Sequence, residues 1–269
     1  MAAGLRIGAS SWSAPSWEGV FYPKGLLPAD YLPHYAAEFD TVEVDATFYR
    51  TPSDQMVDAW RRRTPDGFLF AAKVPQVITH EKLLQHCGEE MLLFLKAMDR
   101  LGPKLGPLLL QFRYFKKSAS PDPGPFLDRL EKFLPTLPAG HRFAVEVRNK
   151  RFLIPRLLDL LHKHRVALAL IDHPWFYRIG SLVSREGMLT TDFVYLRWLG
   201  DRYNIEEQTE SWDRILIDRS REMEHWIPAI RKMLEQDRSV YGYFNNHYAG
   251  YAVGSIRFFR ETWEQGKVI

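Results

Sequence analysis

Short runs of aliphatic, aromatic and β-branched residues recur along the chain, and stretches with helical spacing of apolar positions separate them. The apolar runs are LRIGAS (5–10), TVEVD (41–45), FLFAAKV (68–74), LLLQFR (108–113), RFAVEV (142–147), VALALI (166–171), FVYLRW (193–198) and SVYGYF (239–244). Their length and composition predict β-strands. Between them, 29–39, 54–63, 88–101, 124–134, 155–164, 211–236 and 249–263 predict helices, with MLLFLKAMDRL and WDRILIDRSREMEHWIPAIRKMLE as the clearest cases. Pro28, Pro52, Pro155 and Pro228 are expected mostly near helix starts, where a missing N–H does little harm.

Eight strands interleaved with helices over about 250 residues is the arithmetic of a (β/α)8 TIM barrel. A doubly wound open sheet usually carries a Gly-rich first turn, whereas the first strand here runs into GASSWSAPSW with no GxGxxG. No linker, low-complexity tract or short repeat interrupts the pattern, so residues 1–269 read as a single α/β TIM-barrel domain.

In such a barrel the active face is built from the C-terminal strand ends and the loops after them. Those positions hold Ser10, Ser11 and Trp12; Glu43, Asp45, Phe48 and Tyr49; Lys73, Thr79 and His80; and Gln111 and Arg113. Further along come Glu146 and Arg148, Asp172 and His173, Arg197, and Asn245, Asn246 and His247. The period of two along a strand assigns Val42, Val44, Ala72, Val74, Phe143, Val145 and Val147 to the helical layer. Glu43, Asp45, Lys73, Glu146 and Arg148 then point to the barrel axis. A dry charge needs a partner, and the expected pairs are Lys73 with Glu43 and Arg148 with Glu146 or Asp45.

Composition narrows the class without changing the fold. With 36 Lys and Arg against 33 Asp and Glu, the net charge of +3 permits an anionic ligand but is no general nucleic-acid coat. The densest basic run, RRR at 61–63, falls on a predicted helix and reads as a solvated face. Cys87 is the one cysteine, so neither an intrachain disulfide nor a cysteine metal cluster can form; it reads as a small buried hydrophobe. MAAGLRIGASSW lacks a secretory pattern, and the apolar runs are too short to cross a bilayer, so a soluble cytoplasmic protein without membrane contact is expected.

The segments IGASSW, TVEVDATFYRTPS, FAAKVPQVITHEKLL, LLLQFR, VEVRNKRF and YFNNHYAGYA, in this order, resemble the YecE-like proteins, domain-of-unknown-function family 72. The likeness spans nearly the whole chain. It implies a TIM barrel and no particular activity, because the family is uncharacterised. One departure is the end of the fourth strand, LLLQFRYF, where the resemblance implies an aliphatic or proline-containing stretch of the Gln-x-Pro type.

The chemistry of the strand ends supports a leading reading. Lys73, Arg148 and Arg197, with Asn245, Asn246, Trp12, Tyr49 and Asp172, would bind a small anionic ligand that is phosphorylated and sugar- or nucleotide-like. His80 or His247 would move protons, while Glu43 and Glu146 orient the cations or act as acid and base. The last helix offers free N–H groups directly after Asn245–Gly250. Hydrolysis, isomerisation or lyase chemistry without a redox cofactor would follow. A structural ion-pair network filling the barrel is the competing account. No HxH or HExxH anchors a metal, so no cofactor is assigned; a divalent ion on the carboxylates with His80 or His247 is a lesser alternative. Loop aromatics such as Trp17, Phe21, Tyr22, Trp175, Phe176 and Tyr177 either form small loop cores or stack on a sugar or base. The second functional reading is nucleic-acid binding or processing, perceived through those aromatics and the arginines. No obligate protein partner is evident.

Overall fold

The computed structural model describes residues 4–114, 122–183 and 185–266. Residues 1–3 of the N-terminal stretch read for a secretory pattern lie outside the described residues. Eight strands form one parallel sheet: β1 Leu5–Ala9, β2 Thr41–Val44, β3 Leu69–Lys73, β4 Leu105–Gln111, β5 Phe143–Glu146, β6 Ala167–Asp172, β7 Phe193–Trp198 and β8 Ser239–Phe244. Each pairs with its sequence neighbour from β2 to β8, and β8 returns to pair with β1. This is the (β/α)8 TIM barrel that the strand count predicts.

The β1/β2 seam closes differently from the rest. The Tyr35 hydroxyl accepts from the Ala9 N–H at 2.7 Å and donates to the Thr41 carbonyl at 3.0 Å, bridging the two strands. Gly8 faces this seam, and a Cβ there would lie 2.1 Å from the Thr41 carbonyl oxygen, so only glycine fits. β4 begins three residues before the predicted start, and its ladder with β3 slips between Phe70 and Ala72. The slip falls at Gly106–Pro107, where proline has no N–H to donate.

The helices are α1 Tyr31–Glu38, α2 Asp54–Arg62, α3 Gly88–Met98, α4 Pro123–Phe133, α5 Pro155–Lys163, α6 Ile179–Val183, α7 Arg202–Glu206, α8 Ser220–Glu235 and α9 Ala252–Glu264. Two expectations need correction. The pattern at 211–236 overruns: α8 starts only at Ser220, where the Asp218 carboxylate accepts from the Ser220 N–H. The preceding segment packs on the turn after β8 instead, with the Leu216 N–H donating to the Ala249 carbonyl at 2.7 Å. Pro228 lies inside α8 and not near its start, forgoing one intrahelical bond. Conversely, α6 and α7 are single short turns with too few residues to show a helical period.

Buried residues divide into two sets. Val42, Val44, Ala72, Val74, Phe143, Val145 and Val147 join the large core between sheet and helices, as the period of two predicts. Leu69, Ala71, Leu109, Ala144, Ala167, Ala169, Phe193, Tyr195, Tyr241 and Tyr243 fill the barrel interior. Cys87 is buried just before α3, and burial raises its thiol pKa. Arg61 and Arg62 form the exposed last turn of α2, and Arg63 follows them. Among the described residues no helix is long and apolar enough to cross a membrane.

Candidate functional site

Above the apolar interior, toward the C-terminal strand ends, the inward positions become charged. Arg197 on β7 is 1% exposed and sits at the centre of this layer. It donates to Glu43 on β2 at 2.8 Å, to Glu146 on β5 at 2.6 Å and to Gln111 on β4 at 3.1 Å. The Tyr195 hydroxyl donates to the second Glu43 oxygen at 2.7 Å. One guanidinium thus ties together strands from opposite sides of the barrel. Burial alone would raise the Glu146 pKa; Arg197 and Arg148 overcome it and hold the carboxyl down at about 2.

A second tier lies nearer solvent. Arg148 donates through Nε to Glu146 at 2.7 Å, and its side chain is 29% exposed. Lys73 is bonded to Asp45 and lies 5.6 Å from the centre of the Phe48 ring. Burial, and then Arg197, lower the Lys73 pKa. The expected Lys73–Glu43 pair does not form: Asp45, one step closer to the mouth, takes the lysine, and Glu43 is occupied by Arg197 and Tyr195. The expected Arg148–Glu146 pair is present.

Three histidines rim the opening. His80 follows β3 in a π-helical turn, Val77–Glu81, with Thr79 Oγ1 2.8 Å from its Nδ1 and the Phe48 ring edge-on at 5.0 Å. Burial, then Arg148, Arg113 and Lys73, push its pKa down to about 4. Burial and Arg148 also lower His173. His247 lies between Asn245 Oδ1, 2.6 Å from Nδ1, and Glu206 Oε1, 3.0 Å from Nε2. Burial lowers its pKa, and Glu206 opposes that. Thus His80 and His173 favour the neutral imidazole at neutral pH.

The other strand-end candidates are placed less centrally. Asp172 does not face the axis: it shares its strand face with Leu168 and Leu170, and its carboxylate accepts from Trp226 Nε1 of α8 at 2.7 Å and from the Tyr248 hydroxyl. Trp12 packs edge-on to Trp60 at 5.5 Å and to Phe70, in the layer between sheet and α2. Tyr49 is exposed on the loop after β2, against Phe48. Asn245 caps the turn that carries His247, and Asn246 accepts from the Ala252 N–H at 2.9 Å, filling one of the free donors of α9. Trp17, Phe21, Tyr22 and Phe176 are buried in loop cores, whereas Trp175 remains exposed.

Tyr195 is missing from the strand-end list although it lies two residues before Arg197, on the same face; the period of two was the available signal. Glu206 comes from a helix of five residues, for which the chain shows no pattern. Among the described residues no group of three or more His, Cys, Asp or Glu is arranged to hold a metal ion.

The family model described as protein of unknown function DUF72 matches residues 6–268. The chain belongs to the DUF72 family. The UPF0759 protein YecE of Escherichia coli (strain K12) is 34% identical over 152 residues, which are 55% of this chain and 50% of that protein. The match therefore spans half the length of this curated relative. A crystal structure of a DUF72 family protein from Thermotoga maritima superposes with a TM-score of 0.76 at 26% identity, covering 97% of this chain and 99% of that one. A DUF72 family protein from Enterococcus faecalis gives 0.72 at 21% identity, covering 97% and 95%, which shows the shared fold.

Proposed function

We propose that this DUF72 barrel binds a small anionic ligand, phosphorylated and sugar- or nucleotide-like, at its C-terminal mouth. Lys73 and Arg148 supply the positive charge, and His80 or His247 accepts or returns a proton. Glu43, Glu146 and Arg197 act as the floor: Glu146 orients Arg148, and Arg197 holds the Glu146 carboxyl ionised while hydrogen-bonding Glu43 beneath it. Hydrolysis, isomerisation or lyase chemistry suits such a site, since each needs positioned charge and proton transfer and none needs a redox cofactor.

The observation that carries this reading is the convergence on His80. Arg148, Arg113 and Lys73 come from three different strand ends and add to burial in disfavouring a proton on one imidazole, with Glu146 opposing them. Cations gathered on one point from separate strands favour an anion there. Arg148 spends Nε on Glu146, and a guanidinium carries four further N–H donors suited to a phosphate or carboxylate.

The test is calorimetric titration with inorganic phosphate at low ionic strength. Saturable binding is expected, and Arg148→Ala should weaken it by roughly 10-fold or more, since a hydrogen bond to a charged group contributes about 1.5–3 kcal/mol. Lys73→Met should do the same. Circular dichroism shows whether each variant is folded. Phosphate binding that is absent in the folded parent, or unchanged in both folded variants, refutes the reading.

A further inference from the structure

Three exposed aromatic side chains from three separate loops meet beside the mouth. Tyr114, after β4, is 40% exposed; Trp175, after β6, is 48% exposed; Tyr203, on α7 after β7, is 68% exposed. Trp175 stands between the other two, its ring centre 5.7 Å from Tyr114 and 6.2 Å from Tyr203, and it is inclined only 25° to the latter. Loop aromatics that serve only as a local core end up covered, as Trp17, Tyr22 and Phe176 do. These three keep large open faces, an expensive arrangement in water.

The row is tied to the cationic mouth by His173. Its ring centre is 5.3 Å from that of Trp175, its Nδ1 accepts from the Trp175 N–H at 3.2 Å, and it feels the charge of Arg148. On the far side, α7 carries both Tyr203 and Glu206, and Glu206 reaches His247. The exposed rings therefore adjoin His173 on one side and, through Glu206 of α7, His247 on the other.

We infer that Tyr114, Trp175 and Tyr203 form a ring-binding subsite, so that the ligand is a ring-bearing phosphate ester whose ring lies on Trp175 while its phosphate faces Arg148. The inference rests on the anion site proposed above and names the class of molecule it takes. Both a nucleobase, through its π-face, and a sugar, through its C–H face, present the flat surface that such a row accepts.

The experiment titrates the full chain with four probes: inorganic phosphate, adenosine, adenosine monophosphate and glucose 6-phosphate. Parent, Trp175→Ala, Tyr203→Ala and Arg148→Ala are compared. Stacking on an aromatic side chain adds roughly 5- to 150-fold in affinity per base. At least one ester is expected to bind about 10-fold more tightly than phosphate, and Trp175→Ala and Tyr203→Ala should remove that advantage while leaving phosphate affinity unchanged. Preference for one ester identifies the ring as base or sugar. Arg148→Ala should weaken phosphate and ester alike, and adenosine little. If phosphate fails to bind yet adenosine binds in a Trp175-dependent way, the anion site falls and the ring subsite stands. Equal affinity for phosphate and both esters overturns the subsite, as does an ester advantage that survives Trp175→Ala. A labelled single-stranded oligonucleotide held far more tightly than adenosine monophosphate, with steep salt dependence, would assign the row to nucleic acid and overturn the small-ligand assignment.

Discussion

Replacing Arg197 by Met removes the cation that joins both buried glutamates. Methionine keeps an unbranched chain of similar length in the barrel, so the loss is mainly electrostatic. In the parent, Arg197 makes hydrogen bonds of 2.8 Å to Glu43, 2.6 Å to Glu146 and 3.1 Å to Gln111. In Arg197→Met, Glu43 retains the Tyr195 hydroxyl and Glu146 retains Arg148. Removing one partner of a buried pair costs about 3–5 kcal/mol. Linkage gives an upper bound for the Glu146 part: a carboxyl held at about 2 in place of 4.5 by Arg197 and Arg148 together contributes about 3 kcal/mol at neutral pH, of which Arg197→Met removes the Arg197 share. Because the folded pKa lies below the unfolded one, that contribution is present above about pH 4.5 and is lost as pH falls toward 2. Equilibrium urea unfolding, followed by tryptophan fluorescence, should therefore show Arg197→Met destabilised by about 3–5 kcal/mol at pH 7 and by less at pH 3. Adding Glu43→Gln to the variant should recover part of the loss by restoring charge balance. A single variant within about 1 kcal/mol of the parent at pH 7 would falsify the buried-network argument, since that is well below the cost of an uncompensated buried charge.

Two further outcomes follow from the same geometry. Tyr35→Phe leaves the Ala9 N–H and the Thr41 carbonyl without their bridge at the β1/β2 seam; it should cost about 1–3 kcal/mol in urea unfolding and speed hydrogen exchange at Ala9, and unchanged exchange there would show the seam to be held otherwise. His80 should titrate near pH 4 by NMR, so its neutral form stabilises the fold in a way that fades as pH drops from about 6.5 toward 4. Saturating phosphate should raise that value by offsetting the cations around it, and an unmoved titration in the presence of bound phosphate would separate His80 from the anion site.

Alternation within strands was enough to turn Glu43, Lys73 and Glu146 inward, because burial on the helical side demands Val42, Val44, Val145 and their like. It also spoke against an inward Asp172, which shares its parity with Leu168 and Leu170 and so faces α8. Pairing was less legible. Lys73 chose Asp45 over Glu43 because Arg197, on the opposite wall, already filled the Glu43 site, and no local pattern encodes which walls of a closed barrel touch. The aromatic row was the least legible part: Tyr114 and Tyr203 are separated from Trp175 by dozens of residues, and α7 is too short to show a period.

The order of hydrophobic runs determined eight strands, their inward faces and the charged character of the mouth, since those are consequences of local periodicity and of burying apolar area. Tertiary closure decided which charges became partners, because sealing the sheet brings β7 across from β2 and β5 and excludes water from Arg197. It also decided exposure. Trp17 and Trp175 are the same residue type in comparable loops, yet one is sealed in a core and the other stands open beside His173, a difference set by which loops pack over each.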